Sequence, residues 1–245
     1  MGRVVQERSE RTRGRLVEAG AVLFDRRGYA GATLGEIAAA AGVTKGALYF
    51  HFASKEELAR AVFGQAERSL RSACAELRAA SSPLQGLIDA GYWLVDALGA
   101  DPVIRAAFRL GREDAGWQSA PTTAGLTTAA PTTVGPTTAG LTPADSRQPA
   151  FADIRGFHSV WAGVVRDLLA GARRAGELRD RSGGLGPETL VVTAACGLEV
   201  VFADGCPAEE RARRVGALWD WLLPCLVRPG TAGGYRTRPS APRPA

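Results

Sequence analysis

In the stretch from Thr44 to Phe52, TKGALYFHF, residue types that bind polyanions alternate with residue types that build a core. On a helix, Lys45 and Tyr49 are four residues apart and share a face, with Gly46 beside them. Leu48 and Phe52, also four apart, point elsewhere and can anchor the helix to its neighbours. The outward face then holds an ammonium, a phenol and bare glycine backbone. That set suits a helix entering the major groove of double-stranded DNA: Lys45 for a phosphate or guanine, Gly46 for close approach, Tyr49 for a phosphate or a thymine methyl. His51 and Lys55 follow at the end of this helix and the start of the next, where backbone phosphates would lie. Of the chain's 30 basic residues only Lys45 and Lys55 are lysines, and both fall in or just after this stretch.

The elements that must position these residues are announced by caps and breaks. Thr44 can cap the short helix. Before it, Thr33-Leu-Gly-Glu36 reads as a capping box, in which hydroxyl and carboxylate each satisfy an orphan backbone N–H. The helix it opens has Leu34, Ile37, Ala38 and Ala41 on one face and stops at Gly42. The linker Ala41-Gly42-Val43-Thr44 turns the two short helices into a helix-turn-helix, with Val43 plugging the corner. Ahead of them a helix from Glu7 to Arg27 carries Val17, Ala21 and Phe24 at helical spacing and closes at Gly28. A second capping box, Ser54-Lys-Glu-Glu57, starts a long helix running to about Leu77. The first fifteen residues hold five arginines against Glu7 and Glu10, so a basic arm precedes the reading helix.

Helical periodicity continues, and the fold class expected is all-α. Pro83 to Ala100, Pro102 to about Asp114, Phe151 to Gly176, Pro187 to Phe202 and Pro207 to about Val227 all read as helices. The division expected is a DNA-binding domain over 1–54 and a ligand-binding and dimerisation domain over 55–228. The pentads PTTAG LTTAA PTTVG PTTAG LTPAD place a disordered Thr/Pro/Gly-rich insertion at 118–148. A disordered basic tail is expected over 229–245. Two apolar helices closing an all-α chain suit a homodimer built as a four-helix bundle. Large apolar residues on the C-terminal helices, Trp93, Phe108, Leu110, Trp161, Val165 and Phe202, are the candidates to line a pocket.

A hydrophobic share of 46% with 22% charged residues is enough to bury a core, and no apolar run reaches membrane-spanning length. The location expected is cytoplasmic. The four cysteines form no C-x-x-C pair and have no histidine at ligand spacing, so no metal or cofactor is expected. With only two histidines, no nucleophile elbow and no phosphate-binding glycine loop, an enzyme is not expected either.

Thr33 to Leu58, TLGEIAAAAGVTKGALYFHFASKEEL, resembles the DNA-binding domain of TetR-family transcriptional repressors. VTKGALYFHFASKEELA is similar in wording to the γ-butyrolactone receptor branch of streptomycetes. PLQGLIDAGYWLVDAL, DPVIRAAFRLGRED, FHSVWAGVVRDLLAGARRAGEL and ALWDWLLPCL also look like that branch. The resemblance implies a homodimer with a reading head on each subunit, binding a palindromic operator until a small lipophilic inducer enters the C-terminal domain. It places Trp161 against the ligand ring. Two stretches depart from the branch: the Thr/Pro insertion and AACGLEVVFADGCP before the last helix. They leave open a receptor of the same fold that answers an antibiotic or biosynthetic intermediate. A thiol-based redox regulator using Cys196 or Cys206 is the more distant alternative.

Overall fold

The computed structural model describes residues 2–118, 156–179, 187–202 and 206–238, and within them nine α-helices. These are α1 (Gly2–Gly31), α2 (Leu34–Ala40), α3 (Lys45–His51), α4 (Lys55–Ala80), α5 (Pro83–Ala100), α6 (Pro102–Gln118), α7 (Phe157–Arg174), α8 (Pro187–Phe202) and α9 (Ala208–Leu226). The one bridge among the described residues pairs Leu178 with Val227, antiparallel. None of the described helices is long and apolar enough to cross a membrane.

The hydroxyl caps expected from sequence are made. The Thr33 hydroxyl accepts from the Glu36 amide while the Glu36 carboxylate accepts from the Thr33 amide. Thr44 and Ser54 accept from the amides of Ala47 and Glu57. The second capping box is only half made, because the Glu57 carboxylate accepts from the Ala53 amide, one residue before the cap. Gly42 has φ +64°, a left-handed turn that a residue with a Cβ resists, and this drops the chain from α2 into α3. At Gly28 (φ +73°) the first helix breaks as expected, but a further turn carries it on to Gly31. It also begins five residues earlier than the apolar periodicity indicates, at Gly2.

The core is continuous from α1 to α9. α1 lies against α6 and α4, and α5 is the centre of the C-terminal half, contacting α4, α6, α7, α8 and α9. Leu84, Leu87, Ile88, Ala90, Leu94, Val95 and Leu98 are all buried on α5, as expected of a helix apolar nearly all round. Each large apolar side chain so buried stabilises by about 1.5–3 kcal/mol.

The disordered tail expected from residue 229 does not hold over 229–238. There the chain forms a 3₁₀ turn (Ala232–Gly234) and returns across α5 and α9. Composition suggested a solvated end, but the backbone of Arg236 and the hydroxyl of Tyr235 find partners on the folded surface. Residues 239–245 lie outside the described residues. So does the Thr/Pro/Gly-rich insertion, apart from Gln118, which closes α6.

Candidate nucleic-acid interface and ligand cavity

The two short helices are held in place from beneath. Leu48 and Phe52 are fully buried, and the Arg13 guanidinium stacks on the Phe52 ring at 5.0 Å. Arg15 donates to the Ala41 carbonyl, closing the last turn of α2. The Lys45 stem lies along Gly35, where a Cβ would come within 2.9 Å of Cε, so α2 and α3 approach closely. A cleft of about 380 Å³ runs between them, lined by Thr33, Gly35, Lys45, Tyr49 and Lys55 among others.

With its anchors buried, α3 turns Thr44, Lys45, Gly46 and Tyr49 to solvent, Tyr49 at 56% exposure. Phe50 is more exposed still, at 82%, and sequence reasoning missed it. The signal was available, since Gly46 and Phe50 are four apart and share a side of the helix. His51 is half-buried and meets the Phe50 ring edge-on, with centroids 5.2 Å apart. Thr33 is exposed beside the cleft with its hydroxyl on Glu36. That hydroxyl, and then Arg27, hold the Glu36 carboxyl below the usual carboxylate range.

Lys55 departs from expectation. Its ammonium turns inward, donates to the carbonyls of Tyr29 (2.9 Å) and Ala32 (3.1 Å), and lies 4.3 Å from the centre of the Tyr29 ring. A cation at the carbonyl end of α1 and over an aromatic face is stabilised by both. Lys55 ties α4 to the end of α1 rather than presenting a charge to a phosphate.

The C-terminal half encloses a second, very different site. Trp161, buried on α7, lines a cavity with Leu87 and Gly91 of α5, Ala195 and Leu198 of α8, and Trp219 and Leu222 of α9. The cavity measures only about 10 Å³, room for one water at most. The Trp161 indole N–H donates to the Ala195 carbonyl at 3.0 Å, so the one polar group of that side chain is satisfied within the wall. Of the five pocket candidates whose side chains are described, only Trp161 lines this cavity. Trp93 lies half-buried, two residues past Gly91 and so on another side of α5. Phe108 is buried in an aromatic junction, 4.7 Å from Phe157 and 4.9 Å from His158. Leu110 and Val165 are buried core residues, and the side chain of Phe202 lies outside the described residues.

The two sites are joined through α6. Arg105 pairs with Asp25 at 2.8 Å, and Arg109 donates to the Asp25 carbonyl at 2.6 Å. Glu113 accepts from the Tyr29 amide at 2.7 Å, at the Gly28 break of α1. On an adjacent side of α6, Phe108 meets Phe157, one helical turn before Trp161, and Phe63 of α4 meets the same ring at 5.8 Å.

Among the described residues no three His, Cys, Asp or Glu side chains gather as a metal site. Burial pushes the Cys74 thiol up to about 11 and raises that of Cys196, leaving little thiolate for redox chemistry at either.

A short helix seated by buried anchors, displaying a basic and aromatic face ahead of a helical domain with an apolar cavity, defines a helix-turn-helix regulator that binds DNA. Residues 16–62 match the family model for bacterial regulatory proteins of the tetR family. The A-factor receptor protein of Streptomyces griseus is 29% identical over 226 residues, covering 92% of this chain and 67% of that protein. The solved structure of CprB from Streptomyces coelicolor is 30% identical, with 91% of each chain covered and a TM-score of 0.62. A second CprB structure, in complex with its biological operator sequence, is matched at 29% identity, 93% and 94% coverage and a TM-score of 0.64. A γ-butyrolactone receptor described as ArpA-like matches at 26% identity, 93% coverage of each chain and a TM-score of 0.61. The chain belongs to the TetR family, whose members are DNA-binding transcriptional regulators.

Proposed function

We propose that the protein is a cytoplasmic repressor that binds a palindromic operator as a homodimer and is released by a small lipophilic signal, a γ-butyrolactone or related furan or butenolide, controlling secondary metabolism. The observation that carries the reading is the face Thr44, Lys45, Gly46, Tyr49 and Phe50, exposed on a helix whose anchors Leu48 and Phe52 are fully buried. Lys45 and Tyr49 take phosphate or base edges, His51 borders them, Thr33 stands at the rim of the cleft, and Phe50 offers an apolar contact of the kind that reads a thymine methyl. The likeness to the A-factor receptor and to a γ-butyrolactone receptor supports the ligand class. No catalytic step belongs to this reading.

A dimer through α8 and α9 is supported by what those helices leave uncovered. Trp221 is 81% and Leu190 54% exposed, and Ala217 and Cys225 share the Trp221 side of α9. Two such faces brought together by a two-fold axis form a four-helix bundle. The first 54 residues then act as the reading head and the remainder as sensor and dimer contact.

The test is a mobility-shift titration of the protein–operator complex with γ-butyrolactones and butenolides, then with antibiotics. Release by a lactone from the wild type but not from Trp161→Ala, with equal operator affinity before ligand, is the expected outcome. Release of both at the same concentration removes Trp161 from the ligand site. Release only by an antibiotic replaces the lactone class.

A further inference from the structure

The segment after α9 is bound to the walls of the Trp161 cavity from the outside. Its path starts where Val227 pairs with Leu178 and the Arg179 amide donates to the Leu226 carbonyl. After the 3₁₀ turn the Tyr235 hydroxyl reaches Glu177, whose other carboxylate oxygen accepts from the Leu84 amide at 2.9 Å and so caps α5. The Gln85 side chain then bonds both backbone groups of Arg236: its oxygen accepts from the amide at 2.9 Å and its nitrogen donates to the carbonyl at 3.1 Å. The Arg236 guanidinium pairs with Asp89 at 3.3 Å. The Tyr92 hydroxyl donates to the Thr237 carbonyl, and Arg238 stands 4.0 Å from Asp220 on α9.

These contacts form one stripe. Gln85, Asp89 and Tyr92 are spaced i, i+4 and i+7 on α5, while Leu87 and Gly91 on another side of the same helix line the cavity. On α9 the strap seats over Gly216, where a Cβ would stand 3.1 Å from the Thr237 carbonyl and 3.0 Å from the Tyr92 hydroxyl. The next turn of α9 carries Trp219, which meets Gly91 inside the cavity wall. The strap therefore fastens α5 to α9 at the level where the two helices shut the cavity. Burial first, then Asp220, pushes the Tyr92 hydroxyl up to about 12, so it stays a donor at any physiological pH.

A cavity of about 10 Å³ admits no ligand without movement of its walls. We propose that residues 228–238 are a latch that holds α5 and α9 closed over the Trp161 cavity and sets how readily it opens to an apolar ligand. The inference rests on reading that cavity as the inducer site. A site competent in only a fraction of molecules binds with an affinity reduced by that fraction, and loosening the latch enlarges the fraction.

Two variants test it: a chain ended after Val227, and full-length Gln85→Ala, which keeps the segment but removes its backbone clasp. The probe is 8-anilinonaphthalene-1-sulfonate, with hydrogen exchange measured in parallel. Both variants are expected to bind the dye more tightly, the truncated chain by about fivefold. Amide exchange should rise in α5 and α9 and stay at the wild-type level over residues 16–62. Unchanged dye affinity in both variants overturns the latch, and so does an exchange increase that extends equally through 16–62, which marks a general loss of stability. If the truncated chain does not fold, Gln85→Ala decides alone. Operator affinity without dye, measured on the same samples, reports separately on the repressor reading, which fails if wild type does not bind the operator.

Discussion

The reading helix and the Trp161 cavity are built on opposite plans. The proposed reading surface is laid out on the folded chain, its polar and aromatic groups turned to solvent on a helix fixed by Leu48 and Phe52. The cavity is shut, its wall satisfied by the bond from Trp161 to Ala195 and its helices strapped together from behind. A surface that must dock on a rigid duplex gains from being preformed, because ordering it on binding would cost affinity. A sensor gains from being closed, because a ligand shifts an equilibrium only where it meets the two states differently.

The largest expected effect breaks the preformed half. Leu48→Ala removes a fully buried side chain from a seven-residue helix with few other anchors. Large-to-small changes at such positions cost about 2–5 kcal/mol. Operator binding should be lost, together with hydrogen-exchange protection in α2 and α3, while the amides of α5 and α7 keep theirs. Equal loss in both halves would mean that the reading head does not have a stability of its own.

A smaller effect sharpens the contrast between the two lysines. Lys45→Ala is expected to weaken operator binding by about 1–3 kcal/mol at unchanged melting temperature. If its contact is to a phosphate, the slope of log K against log salt should also fall by about 0.9. Lys55→Ala should do the reverse, lowering the melting temperature through lost contacts to Tyr29 and Ala32 with the salt slope unchanged. A salt slope that falls in Lys55→Ala would return that residue to the DNA surface.

The same contrast explains what was legible in the sequence. Capping boxes, the Gly42 turn and the i, i+4 anchors of α3 are local, and each is written within a few residues. Phe50 was overlooked because an aromatic between Tyr49 and His51 suggests core, although its spacing from Gly46 places it outside. Lys55 could not be assigned locally, since the carbonyls it bonds, Tyr29 at the end of α1 and Ala32 just past it, lie more than twenty residues earlier. The cavity is harder again, assembled from α5, α7, α8 and α9, so composition could nominate large apolar residues but not sort wall from core. Phe108 and Val165 are apolar and buried as Trp161 is, and what separates them is what faces them across the bundle. The strap was misjudged because Pro, Gly and Arg suggest a solvated end, whereas its hold comes largely from backbone groups that composition does not display.

The smallest effect concerns the junction between the halves. His158 of α7 is half-buried with its ring edge-on to Phe108 of α6, beside the contact that links α7 to α6 and α4. Burial, and then the nearby Arg112 charge, hold its pKa below the ordinary histidine range. The folded protein therefore keeps the imidazole neutral at a pH where the unfolded chain, with a pKa of about 6.5, has begun to take up a proton. Over that window the unfolded state binds more protons, so stability rises with pH. The contribution is present above about pH 6.5 and is lost as the pH falls through the lower folded value. His158→Phe keeps an aromatic ring in the junction and removes the titration. Its melting temperature should fall less than wild type between pH 7 and pH 5, by an amount bounded by the uptake of one proton. Identical profiles would mean that the His158 imidazole does not carry the acid sensitivity of the junction.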